Sequence, residues 1–435
     1  MTSVPLPAPE SLPTVRSHVT LVLCMVLHGF THAYGTMLVP LYLLVVQDFQ
    51  LSGVKRAALV VTIYGVVYCL GSYAAGVLAD RFDRRLLLGV GLIGNALAII
   101  GMGLTRQYEM LVLLAVCAGV FGTLFHPAAN ALIPAHYPKS PGMAIGLLGI
   151  GSGLGFFAGP QFAGWRAESA TWTFGLVADW QRPLVEAGVV GLLFGFIFLL
   201  VAREARPTRR AADGPRGRGE PLGPTLRART IAIASVLGCR DFAGVATITL
   251  ASIYLQKAHG LSVKQTGFIL GTMMLLSTVV NPLAVYLTPG KRRLPALSVI
   301  LIASAGVIAL TPHVRLALVL PVLTLFQTLQ LSSYAISDAA MLERVDPNHR
   351  GRIIGLFLTI AGTGASMSPW VMGFWTDMLG VRATVPEGYA LPFASLGMLM
   401  LIASASTPLI ARLGKAHEPT KPSSEIMPQT VGPLG

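Results

Sequence analysis

Charged side chains are scarce in this 435-residue sequence. Asp, Glu, Lys and Arg make up 12% of it against 53% hydrophobic residues, and the mean hydropathy is +0.67. A soluble domain carries about a quarter charged residues, so this composition excludes a surface that faces water throughout. Cysteine is also rare. Cys24, Cys69, Cys117 and Cys239 all lie inside apolar blocks, and none forms a CxxC pair, which excludes a disulfide framework and a cysteine zinc site. No GxxxxGKS/T run is present to cradle a nucleotide's phosphates, which leaves an ion gradient as the energy source for any active process. A short apolar leader with a cleavage site is missing as well. The first seventeen residues are polar and Pro-rich, and the block after them has the length of a full membrane span.

What is present is a series of apolar blocks of roughly 18–25 residues, enough to cross about 30 Å of hydrocarbon at 1.5 Å per residue. Lipid offers an open backbone no hydrogen bonds, and the blocks are too long and unalternating for barrel strands, so helices remain. The expected fold is all-α and integral to a membrane, with twelve transmembrane helices in two pseudo-symmetric six-helix halves. The spans are expected near 18–46, 55–79, 86–104, 109–133, 142–165, 183–202, 229–255, 264–287, 294–311, 315–340, 351–376 and 388–411. Residues 1–17 and 413–435 read as flexible cytoplasmic tails. Residues 18–202 and 229–412 are the two halves, and 203–228, carrying Arg203, Arg206, Arg209, Arg210, Arg216 and Arg218, is a basic cytoplasmic connector.

The net charge of +13 follows this topology. With both tails on one side, that side's segments hold 22 Lys and Arg and the opposite loops nine, leaving Arg240 within a span. The positive-inside rule puts both termini in the cytoplasm of a cell (inner) membrane and makes a nucleic-acid partner unnecessary. The halves also repeat. Setting Gly142 on Gly351 brings Gly146 onto Gly355, Gly153 onto Gly362, Gly155 onto Gly364, Pro160 onto Pro369 and Gly164 onto Gly373 without a gap. His28-Gly29-Phe30 matches Arg240-Asp241-Phe242 at nearly the same offset. Parallel repeats of this kind place a substrate site between the halves near the bilayer midplane.

Between spans two and three stand Gly76, Asp80, Arg81, Arg84 and Arg85. The glycine suits close helix approach, the aspartate a cap or pair, and the arginines headgroups or helix ends. An ordinary positive inner loop would look similar. The ordered set resembles the signature loop of the major facilitator superfamily, with Asp83 in place of its usual second glycine, and the resemblance implies that fold and a conformational latch. Span five carries Gly146, Gly155, Gly159, Pro160 and Gly164. Its small residues permit tight helix contact, and the proline removes one helical hydrogen bond. The spacing resembles the antiporter motif of drug- and metabolite-exporting facilitators, with Ala163 replacing a glycine. Ala115 stands where proton-coupled drug exporters commonly carry an arginine, so that relay is not carried over. Gly122–Ala129, Leu38–Tyr42 and the span-five run together resemble the fosmidomycin-resistance branch, across most of the amino-terminal half.

Ionisable residues inside a span cost a few kcal/mol near its centre, so each needs a reason. His28 and His32 share a face of span one. His28 is expected at the cavity because Arg240 is its repeat partner. His32 reads equally as a satisfied buried histidine, and His126, beside Pro127, as a partner for a freed carbonyl. Arg240 and Asp241 lie about eleven residues, or ~16 Å, into span seven; as neighbours on a helix they diverge by about 100°, and mutual pairing is not assumed. Asp338 and Glu343 read as a gate or cap pairing with Arg344, Arg350 or Arg352. Tyr64, Tyr68, Gln330 and Tyr334 are further candidate cavity liners.

These readings converge on a secondary transporter, not an enzyme: a proton-coupled exporter of a small anionic or amphiphilic metabolite or drug, functional as a monomer, with no cofactor. Arg240, His28, His32, His126 and Tyr34 are the expected substrate contacts, and Asp241 or His28 the proton carrier. Gly76, Asp80, Arg81, Arg84, Arg85, Asp338 and Glu343 are the expected latch and gate. The alternatives are a proton-coupled organic-anion importer and a membrane-embedded metal enzyme built on the three histidines. The second lacks a nearby carboxylate set, so no metal is expected.

Overall fold

A computed structural model describes residues 14–169, 178–204, 222–346 and 349–413. Most of both tails and the connector arginines Arg206, Arg209, Arg210, Arg216 and Arg218 lie outside the described residues. Twelve helical spans follow one another. Spans one to six are Val15–Asp48, Val54–Arg81, Arg84–Leu104, Tyr108–His136, Pro141–Ala167 and Gln181–Val201. Spans seven to ten are Pro224–Lys257, Val263–Leu287, Arg293–Leu310 and Leu316–Leu342. Span eleven joins Arg350–Ser366 to Ser368–Leu379, and span twelve joins Ala390–Ser404 to Ser406–Leu413. Eleven of the described helical stretches are long and apolar enough to cross a membrane.

Helix starts follow local chemistry. Thr14 accepts from the Ser17 amide and Asp83 from the Leu86 amide at 2.8 Å, while Pro141 and Pro224 open their helices where a missing N–H costs nothing. The first helix therefore begins inside the segment read as a tail. Four spans expected to be continuous are interrupted: span one around Val39–Leu41, span four between Gly122 and Phe125, span eleven at Met367 and span twelve at Ala405. Pro40, Pro127 and Pro369 lie at the first three of these breaks, where each withholds an amide from the preceding turn.

With an even number of spans the described ends of the chain, at residues 14 and 413, lie on one face of the bundle, the terminal face. At the opposite, distal face the halves are sewn together. Ser252 in span seven donates to the Val39 carbonyl at 2.8 Å and Gln256 to the Pro40 carbonyl at 3.1 Å. The Lys264 amide, opening span eight, donates to Glu168 of the other half at 2.8 Å. The Val54 and Lys55 amides, opening span two, donate to the two carboxylate oxygens of Asp377 at 2.8 and 3.0 Å.

These last contacts repeat at the register that sets Gly142 on Gly351, an offset of 209 residues. Glu168 corresponds to Asp377 and Lys264 to Lys55. Gly164 lies against Lys264 as Gly373 lies against Lys55, and Gly153 meets Thr278 as Gly362 meets Cys69. Toward the terminal face, side chains added at Gly76, Gly142, Gly146 or Gly355 would meet open space. There each half braces itself. Arg84 reaches the Ala79 carbonyl and pairs with Glu204, and its counterpart Arg293 reaches the Thr288 carbonyl and pairs with Glu343.

Candidate functional site

In the amino-terminal half, the four-residue spacing of His28 and His32 and the break in span four bring three imidazoles together. The His28 Nδ1–H donates to the Leu148 carbonyl of span five at 2.8 Å. A carbonyl only accepts, so neutral His28 presents a bare Nε2, which lies 3.1 Å from Nε2 of His32. The His126 ring stands edge-on to His28 with centroids 5.1 Å apart, and one nitrogen from each of the three rings falls within 4.8 Å of the others. Phe125 stacks on His28 and Phe156 lies against His32.

In the carboxy-terminal half, Arg240 is fully buried. It begins about 16 residues, or ~24 Å, along the longer observed span seven, against ~20 Å for His28 along span one, so the two lie at similar depths. Its Nε donates to Asp241 at 2.7 Å and one terminal nitrogen to Ser337 at 2.9 Å. The guanidinium lies 3.7 Å over the Tyr334 ring, close enough for a strong cation–π contact. Its other terminal nitrogen is buried without a partner among the described residues. Asp241 is therefore paired with its neighbour despite the 100° divergence. Arg240 is not a free anion receptor in this conformation.

Other expected site residues fall elsewhere. Tyr34 sits six residues from His28, about 240° around the helix, and donates to the Ala187 carbonyl of span six, packing within its half. Glu343 pairs chiefly with Arg293 rather than Arg350 or Arg352, with Arg344 at 3.9 Å. Asp338 is exposed, makes no ion pair among the described residues and lies in electrostatic reach of Arg240 and Asp241. In the expected latch, Asp83 rather than Asp80 caps span three, Asp80 and Arg81 are exposed, and Gly76 contacts no partner helix. In span five, a side chain at Gly155 would strike the Gly29 backbone and one at Gly159 would lie 2.7 Å from the Ala33 carbonyl, so both glycines seat span five on span one. Gly164 lies against span eight of the other half, whereas a side chain added at Gly146 would meet nothing within 4 Å.

Sequence reasoning passed over Ser337, the Leu148 carbonyl and the paired caps Glu168 and Asp377. The repeat alignment held the signal for the last two, since it superposes one acidic residue on the other. It also missed the ion pair of Arg166 with Glu186, at 2.5 and 2.6 Å, which joins spans five and six.

The family described as the Major Facilitator Superfamily matches residues 21–369 and, in a second alignment, 246–430. A curated relative from Dickeya zeae, "Multidrug resistance protein MdtG", is 30% identical over 187 residues, 41% of this chain and 43% of that protein. The "Tetracenomycin C resistance and export protein" of Streptomyces glaucescens is 29% identical over 144 residues, 33% of this chain and 26% of that protein. The chain thus spans less than half the length of these relatives. Among solved structures, a bacterial homolog to the human lysosomal transporter Spinster, inward-facing and occupied, superposes with a TM-score of 0.76 at 19% identity, covering 93% of this chain and 98% of that one.

Proposed function

The chain belongs to the major facilitator superfamily, and on that premise we propose that it is a proton-driven exporter of a small amphiphilic molecule. Alternating access would rock residues 18–202 against 229–412, with both termini in the cytoplasm and the distal face outside. Its partners on this reading are protons, the lipid bilayer and the small-molecule substrate. Support for export comes from the drug-resistance relatives and from the span-five glycines seated on span one.

The observation that carries the mechanism is the Arg240–Asp241 pair. Asp241 neutralises a buried guanidinium, so anything that engages the carboxylate competes with the proton there. A substrate that places a cationic or hydrogen-bond-donating group on Asp241 is displaced when the carboxylate is protonated, and proton and substrate then move in opposite directions. An anion taken by Arg240 instead frees Asp241 to take up a proton, and the two travel together. The pairing therefore attaches the amphiphilic, donor-bearing class to export and the organic-anion class to the alternative, proton-coupled import.

Respiring everted vesicles test the choice. A fluorescent amphiphilic cation should accumulate in them when the protein is present and should fail to accumulate with Asp241→Asn. Uptake of an organic anion into right-side-out vesicles under an inward proton gradient, with no accumulation of the cation in everted ones, would replace export with import.

A further inference from the structure

We propose that His28, His32 and His126 form a three-imidazole site for a divalent transition-metal cation of the zinc, nickel or cobalt class. The sequence alone gives two histidines on one helix and a third about a hundred residues away, and the expectation of no metal followed from the lack of a nearby carboxylate set. The fold removes that separation. Span four breaks after Gly122 and restarts at Phe125, which sets His126 beside the span-one pair.

Imidazole nitrogen is the ligand borderline divalent metals take most readily, and three histidines with a fourth position left open is an established coordination pattern for zinc. Nitrogens about 2.0–2.1 Å from a tetrahedral metal stand roughly 3.3–3.4 Å apart. The facing nitrogens of His28 and His32, at 3.1 Å, already have nearly that spacing. His126 has to close from within 4.8 Å by up to about 1.5 Å, within reach of a rotation of its ring.

The surroundings match what a metal-bound imidazole needs. A ligating histidine donates its second ring N–H to a fixed acceptor, which sets its tautomer and aims its lone pair. His28 does so through the Leu148 carbonyl at 2.8 Å. In the metal-free arrangement, one proton lies between the two facing Nε2 atoms, carried by His32. Moving that proton to Nδ1 of His32 opens a second lone pair without changing the charge of the cluster. Tyr68, whose ring centroid is 6.0 Å from that of His126, carries a buried hydroxyl with no partner among the described residues. A water or anionic group on the metal's fourth position would satisfy it. Phe125 and Phe156 pack against the rings from outside and exclude competing ligands. All three histidines belong to one half of the protein, so metal binding neither bridges the halves nor requires either to move.

The experiment is zinc titration calorimetry on the full chain in detergent, with any affinity tag removed, alongside visible absorption of the cobalt-loaded protein. The parent protein should bind one zinc per chain and show the intense visible bands of tetrahedral cobalt. His126→Phe keeps an aromatic ring against Phe125, and His32→Gln keeps a hydrogen-bond partner for His28. Each should weaken zinc binding at least tenfold while leaving the elution profile and thermal midpoint of the metal-free protein in place. The variant with all three histidines replaced should bind no zinc at this site. An unchanged zinc isotherm in that triple variant, or no binding by the parent, overturns the assignment. The readout is binding rather than transport, so it stands apart from the direction or substrate of transport.

Discussion

Removing the Asp377 carboxylate isolates the contribution of one cap to the distal seal. Asp377 accepts from both the Val54 and Lys55 amides, at 2.8 and 3.0 Å, and is half-buried. Losing an N-cap costs about 0.5–2 kcal/mol, and the charge-assisted, two-bond geometry here belongs near the upper end. The contact exists only while the distal ends touch, so its loss falls entirely on the distal-closed state. A cost of one to two kcal/mol is a factor of about 5–30 in the equilibrium between distal-closed and distal-open forms. Spin labels at Gln107 and Arg315, on exposed distal loops of opposite halves, report that equilibrium by pulsed dipolar spectroscopy in a cysteine-free background. Asp377→Ala should enlarge the long-distance population by that factor. Glu168→Ala should do less, because Glu168 offers one bond from an exposed position. An unaltered distance distribution with Asp377→Ala, or a larger effect from Glu168→Ala, would refute the reasoning.

Further outcomes follow from the same geometry. Arg240→Leu strands Asp241 in the interior and should cost about 3–5 kcal/mol, whereas adding Asp241→Asn should recover most of the lost thermal stability. Gly159→Leu should abolish transport while leaving membrane insertion intact, because the side chain is driven into the span-one backbone; Gly146→Ala, facing open space, should transport normally. An impermeant thiol reagent added to intact cells should label a cysteine placed at Gln107 and miss one at Lys139; the reverse pattern would invert the proposed orientation. In reconstituted vesicles, Asp241→Asn should flatten the dependence of transport on the proton gradient.

The fold was legible because lipid makes the backbone's hydrogen bonding depend on continuous apolar length, which composition reports directly. Twelve blocks became twelve helical spans, and the Gly142–Gly351 register survives as matched contacts of Gly153 and Gly362 in space. The site was legible only in part. His28 and Arg240 stood out because charge inside a span is costly, but their partners did not. Asp241 pairs with Arg240 in a way that helical angles do not encode. The Tyr34 bond to the Ala187 carbonyl was not legible because an aromatic with a hydroxyl suits a cavity wall and an interhelical hydrogen bond equally. The histidine cluster depends on a break in span four whose effect on His126 no spacing rule supplies.

The exchange of caps at the distal face says something about how such a chain could have arisen. Subtract the repeat offset and the two contacts become one contact made twice: the acid at the distal end of the fifth span of each unit holds the amide at the start of the second span of the other. That is the form of an isologous interface, in which residue i of one subunit meets residue j of its twin and the reverse. The distal seal thus has the geometry of a symmetric dimer of six-helix subunits, which a connector has since made a single chain. Once the link fixed which unit was which, the interior was free to differ, and one unit now carries a cluster of histidines where the other carries an arginine and its aspartate.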